Sequence, residues 1–144
     1  MTDFSNYNTA VFCAFEAAGA TQEIIEKKAS IINQVCMAHK IVPGSILFVG
    51  FNPAIYAIKN CSVFVTEVDK NIADKLVQDN PSVQIIDRSN LNTISKKFDC
   101  VVATEEYFTF AATDQDQYDL VIELARLSKN CLITTLKDYK NLEY

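Results

Sequence analysis

Glycine, proline, histidine and tryptophan are scarce in this chain of 144 residues: it has three Gly, three Pro, one His and no Trp. With so few chain breakers there is no Gly- or Pro-rich linker, and neither repeats nor low-complexity segments occur. Each Gly and Pro therefore marks a boundary. The single histidine, His39, has no clustered cysteines beside it, so no zinc site is expected. Basic residues are few and scattered, 13 against 18 acidic ones, for a net charge of -5. The only adjacent basic pairs are Lys27-Lys28 and Lys96-Lys97. A protein that grips duplex backbone needs a positive face, so direct non-specific nucleic-acid binding is not expected unless a helper subunit provides that face. No apolar run approaches the ~20 residues of a membrane span. No basic segment precedes the first apolar run, and Glu16 interrupts it, which is unlike a signal peptide. The expected location is the cytosol. The five cysteines, at positions 13, 36, 61, 100 and 131, are odd in number and include no Cys-x-x-Cys pair. They lie in or beside apolar runs and read as reduced core thiols.

What is present is an ordinary globular composition, 49% hydrophobic and 22% charged, at the commonest size for one domain. Residues 7–18 are apolar and Ala-rich and stop at Gly19, as a helix would. Thr21 suits an N-cap, and Ile24, Ile25, Ile31, Ile32, Val35 and Cys36 recur at helical spacing to about His39. These two helices occupy an N-terminal segment, 1–43, that closes at the turn Pro43-Gly44.

From residue 44 to 144 the pattern alternates. Ile46-Leu47-Phe48-Val49 is a short continuous apolar run, as in a strand buried on both faces. Gly50-Phe51-Asn52-Pro53 then reads as tight turn and helix start, with Asn at the N-cap and Pro in the first turn. Further strands fall at 63–68, 83–86, 100–103 and 131–136, with helices at 71–78 and 115–128 and a connector at 90–97. Five apolar strands separated by helices and connectors imply one doubly wound α/β domain. Its sheet is mainly parallel, has order 3-2-1-4-5 and carries helices on both faces.

Ligands of such sheets bind beyond the carboxyl ends of the strands, where the strand order reverses. Polar or glycine residues stand at those ends: Gly50 and Asn52, Asp69, Asp87, then Thr104, Glu105, Glu106 and Tyr107. Gly50 lets the backbone turn closely. Asp69, 19 positions after Gly50, is at the distance suited to a ribose, though it equally suits a helix N-cap. Asp87 can accept from an adenine amino group or anchor its own turn. Asp99 reads as a solvated residue at a strand entrance. A carboxylate at Glu105 or Glu106 can act as a base or steer a substrate amine, and Tyr107 and Phe108 can pack on a planar substrate. The alternative is that these are solvated loop charges and core aromatics.

The segment Ile46-Leu47-Phe48-Val49-Gly50-Phe51-Asn52-Pro53-Ala54 resembles the first motif of the class I S-adenosylmethionine-dependent methyltransferases. Val65-Thr66-Glu67-Val68-Asp69 resembles their acidic second motif, Ile85-Ile86-Asp87 the third, and Phe98-Asp99-Cys100-Val101-Val102-Ala103 the fourth-strand segment. The resemblance covers roughly residues 44–136 and implies a Rossmann-like methyltransferase fold with S-adenosylmethionine as cofactor and S-adenosylhomocysteine as product. It places Gly50, Phe51, Asn52, Asp69, Asp87 and Thr104 at the cofactor. Gly50 and Asn52 would line its methionine part, Asp69 would hold the ribose, and Asp87 would sit by the adenine. Glu105, Glu106 and Tyr107 are the candidate catalytic residues. The N-terminal aromatics Phe4, Tyr7, Phe12 and Phe15 either close over the cofactor or pack on the sheet.

Departures from the family pattern are specific. The first motif has one glycine where two or three are usual, and Phe48 replaces the usual acidic residue of the first strand. The family's sixth and seventh strands have no counterpart. Three readings follow: an active methyltransferase on a small-molecule or protein acceptor, a non-catalytic relative serving as a binding or partner subunit, and a dinucleotide-binding domain. The last lacks the second and third glycines that pyrophosphate requires. Without the sixth and seventh strands, strand five is an expected sheet edge, and self-association as a homodimer through residues 131–136 is expected from it.

Overall fold

A computed structural model describes residues 3–19, 22–58, 61–87, 97–104 and 113–135, with side chains from residue 9 onward and not at 104, 130, 131, 134 and 135. Two helices lead, α1 (Asp3–Ala17) and α2 (Gln22–Ala38). The core follows: β1 (Ser45–Val49), a 3-10 helix (Pro53–Tyr56), β2 (Ser62–Thr66), α3 (Lys70–Asp79), β3 (Gln84–Ile85), β4 (Phe98–Thr104), α4 (Asp114–Leu127) and β5 (Ser128–Thr135). Every strand pairing is parallel, and the order is β3-β2-β1-β4-β5, as the crossovers imply. No helix among the described residues is long and apolar enough to cross a membrane.

β1 lies at the centre, and its alternation divides the core. Ile46 and Phe48 face α2, the 3-10 helix and α3, whereas Leu47 and Val49 face α4. All four are essentially unexposed, which explains why the run carries no polar position. α2 turns Ile25, Ala29, Ile32 and Cys36 inward at helical spacing. α3 has Asp69 as N-cap and Asn80 as C-cap, with Pro81 directly after. α4 has Thr113 as N-cap, acidic Asp114 and Asp116 in its first turn and Arg126 in its last, all complementary to the helix dipole.

Several element bounds differ from the sequence reading. β2 stops at Thr66 rather than Val68, because Glu67 takes φ 66° and turns the chain out of the sheet. β5 starts at Ser128, directly after α4, with no intervening loop. Asp99 stands at the entrance of β4 as expected, but it is half-buried and bonded rather than simply solvated. Its carboxylate accepts the Gly44 amide at 2.5 Å, and its own amide donates to Ser45 Oγ at 3.1 Å. Asp99 thus pins the starts of β4 and β1 together. The cysteines also divide: Cys36 and Cys100 are core thiols 3.8 Å apart, but Cys13 is exposed and Cys61 half-buried. Thr21, the expected N-cap, and most of the 90–97 connector lie outside the described residues.

Candidate functional site

The carboxyl ends of β1 and β2 form the best-described part of the site. After Val49 the chain turns at Gly50, whose φ of 96° suits glycine. The Gly50 amide donates to the Thr66 carbonyl at 2.8 Å, so the two strand ends are tied at the point of departure. Asn52 follows in extended conformation, 5% exposed, and its Oδ1 accepts the Ala54 amide at 2.9 Å. Pro53 starts the 3-10 helix. The sequence signals for this N-cap are therefore realised, but the helix they start has only four residues. So short a helix presents almost no aligned dipole to an anion.

Phe51 belongs to an aromatic cluster. It is 3% exposed and packs with Phe12 edge-to-face at 5.0 Å between centroids, with Phe15 at 5.5 Å and with Tyr56 at 6.5 Å. Phe15 also stacks on Tyr56 at 5.8 Å. This cluster plugs the face of the β1 turn that α1 covers. Phe12 and Phe15 therefore pack against the loop itself. Phe4 and Tyr7 lie in α1, but their side chains are outside the described residues.

Asp69 stands three residues beyond β2, half-buried. Its Oδ1 accepts the Ile72 amide at 2.8 Å, which makes it the N-cap of α3. Its Oδ2 accepts the Thr9 hydroxyl of α1 at 3.2 Å. One oxygen thus orients the carboxylate and the other receives a hydroxyl. Asp87 is exposed just past β3. Thr104 ends β4, with its side chain outside the described residues, as are Glu105, Glu106, Tyr107 and Phe108.

Four residues of this region escaped sequence reasoning. Thr9 meets Asp69 across 60 positions, a contact no local pattern announces. Glu67 takes a left-handed conformation usually given to glycine. Thr66 is wholly buried, and its Oγ1 has no hydrogen-bond partner among the described residues. A lone hydroxyl closing an otherwise apolar strand was the available signal. Tyr56 donates to Asp79 Oδ2 at 2.9 Å, while Lys75 bonds Asp79 Oδ1 at 3.1 Å. Burial first, then the hydrogen bond and charge of Asp79 and the charge of Glu16, push the Tyr56 phenol well above its ordinary value.

Two concavities are formed by described residues. One is a groove of about 620 Å³ along α2, bounded by Tyr56 and Ala57. The other, about 230 Å³, lies between Phe15, Glu16, Ile25, Tyr56, Lys75 and Asp79. Neither includes Gly50, Asn52, Asp69 or Asp87. No group of three or more metal-ligating side chains occurs among the described residues.

This sheet order, with a glycine turn after β1 and an acidic residue after β2, is the Rossmann-like fold of the S-adenosylmethionine-dependent methyltransferases. Solved structures of such enzymes share it. An S-adenosylmethionine-dependent methyltransferase from Clostridium acetobutylicum ATCC 824 superposes with TM-score 0.68 at 13% identity, over 94% of this chain and 59% of its own. CalS10, an amino pentose methyltransferase of calicheamicin biosynthesis from Micromonospora echinaspora, solved with S-adenosylmethionine bound, gives 0.68 at 16% identity over 91% and 59%. A TehB-like S-adenosylmethionine-dependent methyltransferase from Corynebacterium glutamicum ATCC 13032 gives 0.55 at 18% identity over 89% and 68%. The chain spans 59% of the length of the first two. No family model and no curated protein matches the sequence.

Proposed function

We propose that this chain binds S-adenosylmethionine across the carboxyl ends of β1 and β2 and acts as a methyltransferase on a small-molecule or protein acceptor. The observation that carries this reading is the state of Asp69. Its cap bond to Ile72 holds the carboxylate still, and Oδ2 already accepts an alcohol, that of Thr9. A ribose hydroxyl is the same chemical group. Asn52 caps with its oxygen alone, so its carboxamide nitrogen is the donor this turn can offer a ligand carboxylate. Asp87 would then stand near the adenine. The cofactor supplies a methyl on a sulfonium that is already activated. The residues of the chain therefore need only bind and align, and no acid–base pair is required. In this reading Glu105, Glu106 and Tyr107, just past β4, orient the acceptor. A dinucleotide fits less well: Asn52 and Ala54, where pyrophosphate-binding turns have glycines, are buried by packing.

A second reading has its own support. Phe51 is committed to packing on Phe12, and the helix after β1 is only four residues long, so this turn offers little to the methionine part of a cofactor. A non-catalytic binding or partner subunit would tolerate both.

Asp69→Ser separates these. Serine is a good N-cap, so α3 and the unfolding temperature should hold, while the ribose loses its carboxylate. The expected result, by calorimetric titration with S-adenosylmethionine and S-adenosylhomocysteine, is an affinity loss of about tenfold or more. Equal affinity in the variant would remove Asp69 from the site. No binding by the wild type would leave the partner-subunit reading.

A further inference from the structure

We infer that α1 is an autoinhibitory strap: its Thr9 hydroxyl stands on the Asp69 carboxylate where a ribose hydroxyl would bind, and a nucleoside ligand has to displace it. The inference rests on the reading of Asp69 as the ribose acceptor.

The placement of α1 carries it first. Thr9, Phe12 and Phe15 follow one another at helical spacing and so lie along one side of the helix. Phe12 and Phe15 pack on Phe51, beside the Gly50 turn that follows β1. Thr9 reaches Asp69, beyond the end of β2. One helix is thus fastened at both strand ends across which the ligand would lie.

The state of the carboxylate carries it further. Both oxygens are engaged: Oδ1 takes the Ile72 amide at 2.8 Å and Oδ2 the Thr9 hydroxyl at 3.2 Å. A ribose diol brings further hydroxyl donors to the same group. The Ile72 bond caps α3, and giving it up would cost the helix its start. Thr9 is therefore the donor that yields. Its bond is suited to yielding, because it is exposed and well beyond the 2.5–2.7 Å of a strong hydroxyl-to-carboxylate bond.

The two fastenings of α1 are also unequal. Phe12, Phe15 and Phe51 are buried, whereas Thr9 is exposed. The aromatic end holds while the hydroxyl end lets go, and the end that lets go is the one on the ribose acceptor.

Valine has nearly the shape of threonine and a similar helix propensity, so Thr9→Val removes the hydroxyl and leaves α1 in place. By calorimetric titration with S-adenosylhomocysteine, Thr9→Val should bind about three- to tenfold more tightly than the wild type, the worth of one hydrogen bond that no longer has to be broken. Thr9→Ser keeps the hydroxyl and should bind like the wild type. In the Asp69→Ser background, adding Thr9→Val should recover no affinity, because the carboxylate competed for is gone. Binding by Thr9→Val alone, with none by the wild type, would support the strap as well. Unchanged or weaker binding by Thr9→Val beside a wild type that binds would overturn the strap and leave the ribose reading standing. So would an equal gain in the Asp69→Ser background, which would trace the effect to a general loosening of α1. If neither the wild type nor Thr9→Val binds, the ribose reading falls and the strap falls with it.

Discussion

Asn52 and Thr66 are the buried polar side chains among the described residues, and the fold treats them oppositely. Asn52 caps a helix; the Thr66 hydroxyl bonds none of the described residues. An unpaired buried hydroxyl costs about 1–3 kcal/mol, while valine has nearly its shape and no polar atom. Thr66→Val should therefore stabilise the protein by about 1 kcal/mol, read as a higher urea midpoint at unchanged slope. A lower midpoint would show that the hydroxyl has a partner in solution. At this scale the caps were legible in the sequence, because an N-cap is a local event: Asn52 before Pro53 and Asp69 before α3 need only their neighbours. Thr9 on Asp69 and Asp99 on Gly44 were not legible, since each joins residues more than 50 positions apart.

Among elements, the 3-10 helix is held from two sides. Phe15 stacks on Tyr56, and the Tyr56 hydroxyl reaches Asp79 at the end of α3. The phenol of the folded protein keeps its proton to higher pH than the ordinary value of about 10. On alkaline titration the unfolded chain releases this proton first. The contribution is thus whole below about pH 10 and declines as pH rises from there toward the folded value. Tyr56→Phe should flatten the alkaline fall in stability, measured by denaturant unfolding at about pH 8 and pH 11. An identical fall in both proteins would detach Tyr56 from it. Strand and helix identities were legible because hydrophobic periodicity carries them. The end of β2 was not, because nothing in Val65-Thr66-Glu67-Val68 announces a left-handed glutamate. The α4–β5 junction was hidden too: Ser128-Lys129-Asn130 is polar and carries no strand pattern, yet β5 pairs with β4 from Ser128 onward.

For the whole molecule, the strand order followed from the handedness of crossovers, and the sheet confirms it. The polar and glycine residues at the strand ends were legible because they interrupt apolar runs. The aromatic packing around the β1 turn was not, because it depends on where α1 lies.

The central place of β1 also sets a schedule. During synthesis β2 follows β1 directly and can pair with it, but its other neighbour, β4, begins only at Phe98. Until then one side of the most apolar strand has no partner in the chain. Parallel sheets are slow to close for this reason, and their half-made forms are vulnerable to aggregation. The first half of the nascent protein, α1 to β3, must shield the open side of β1 while the second half is still being made.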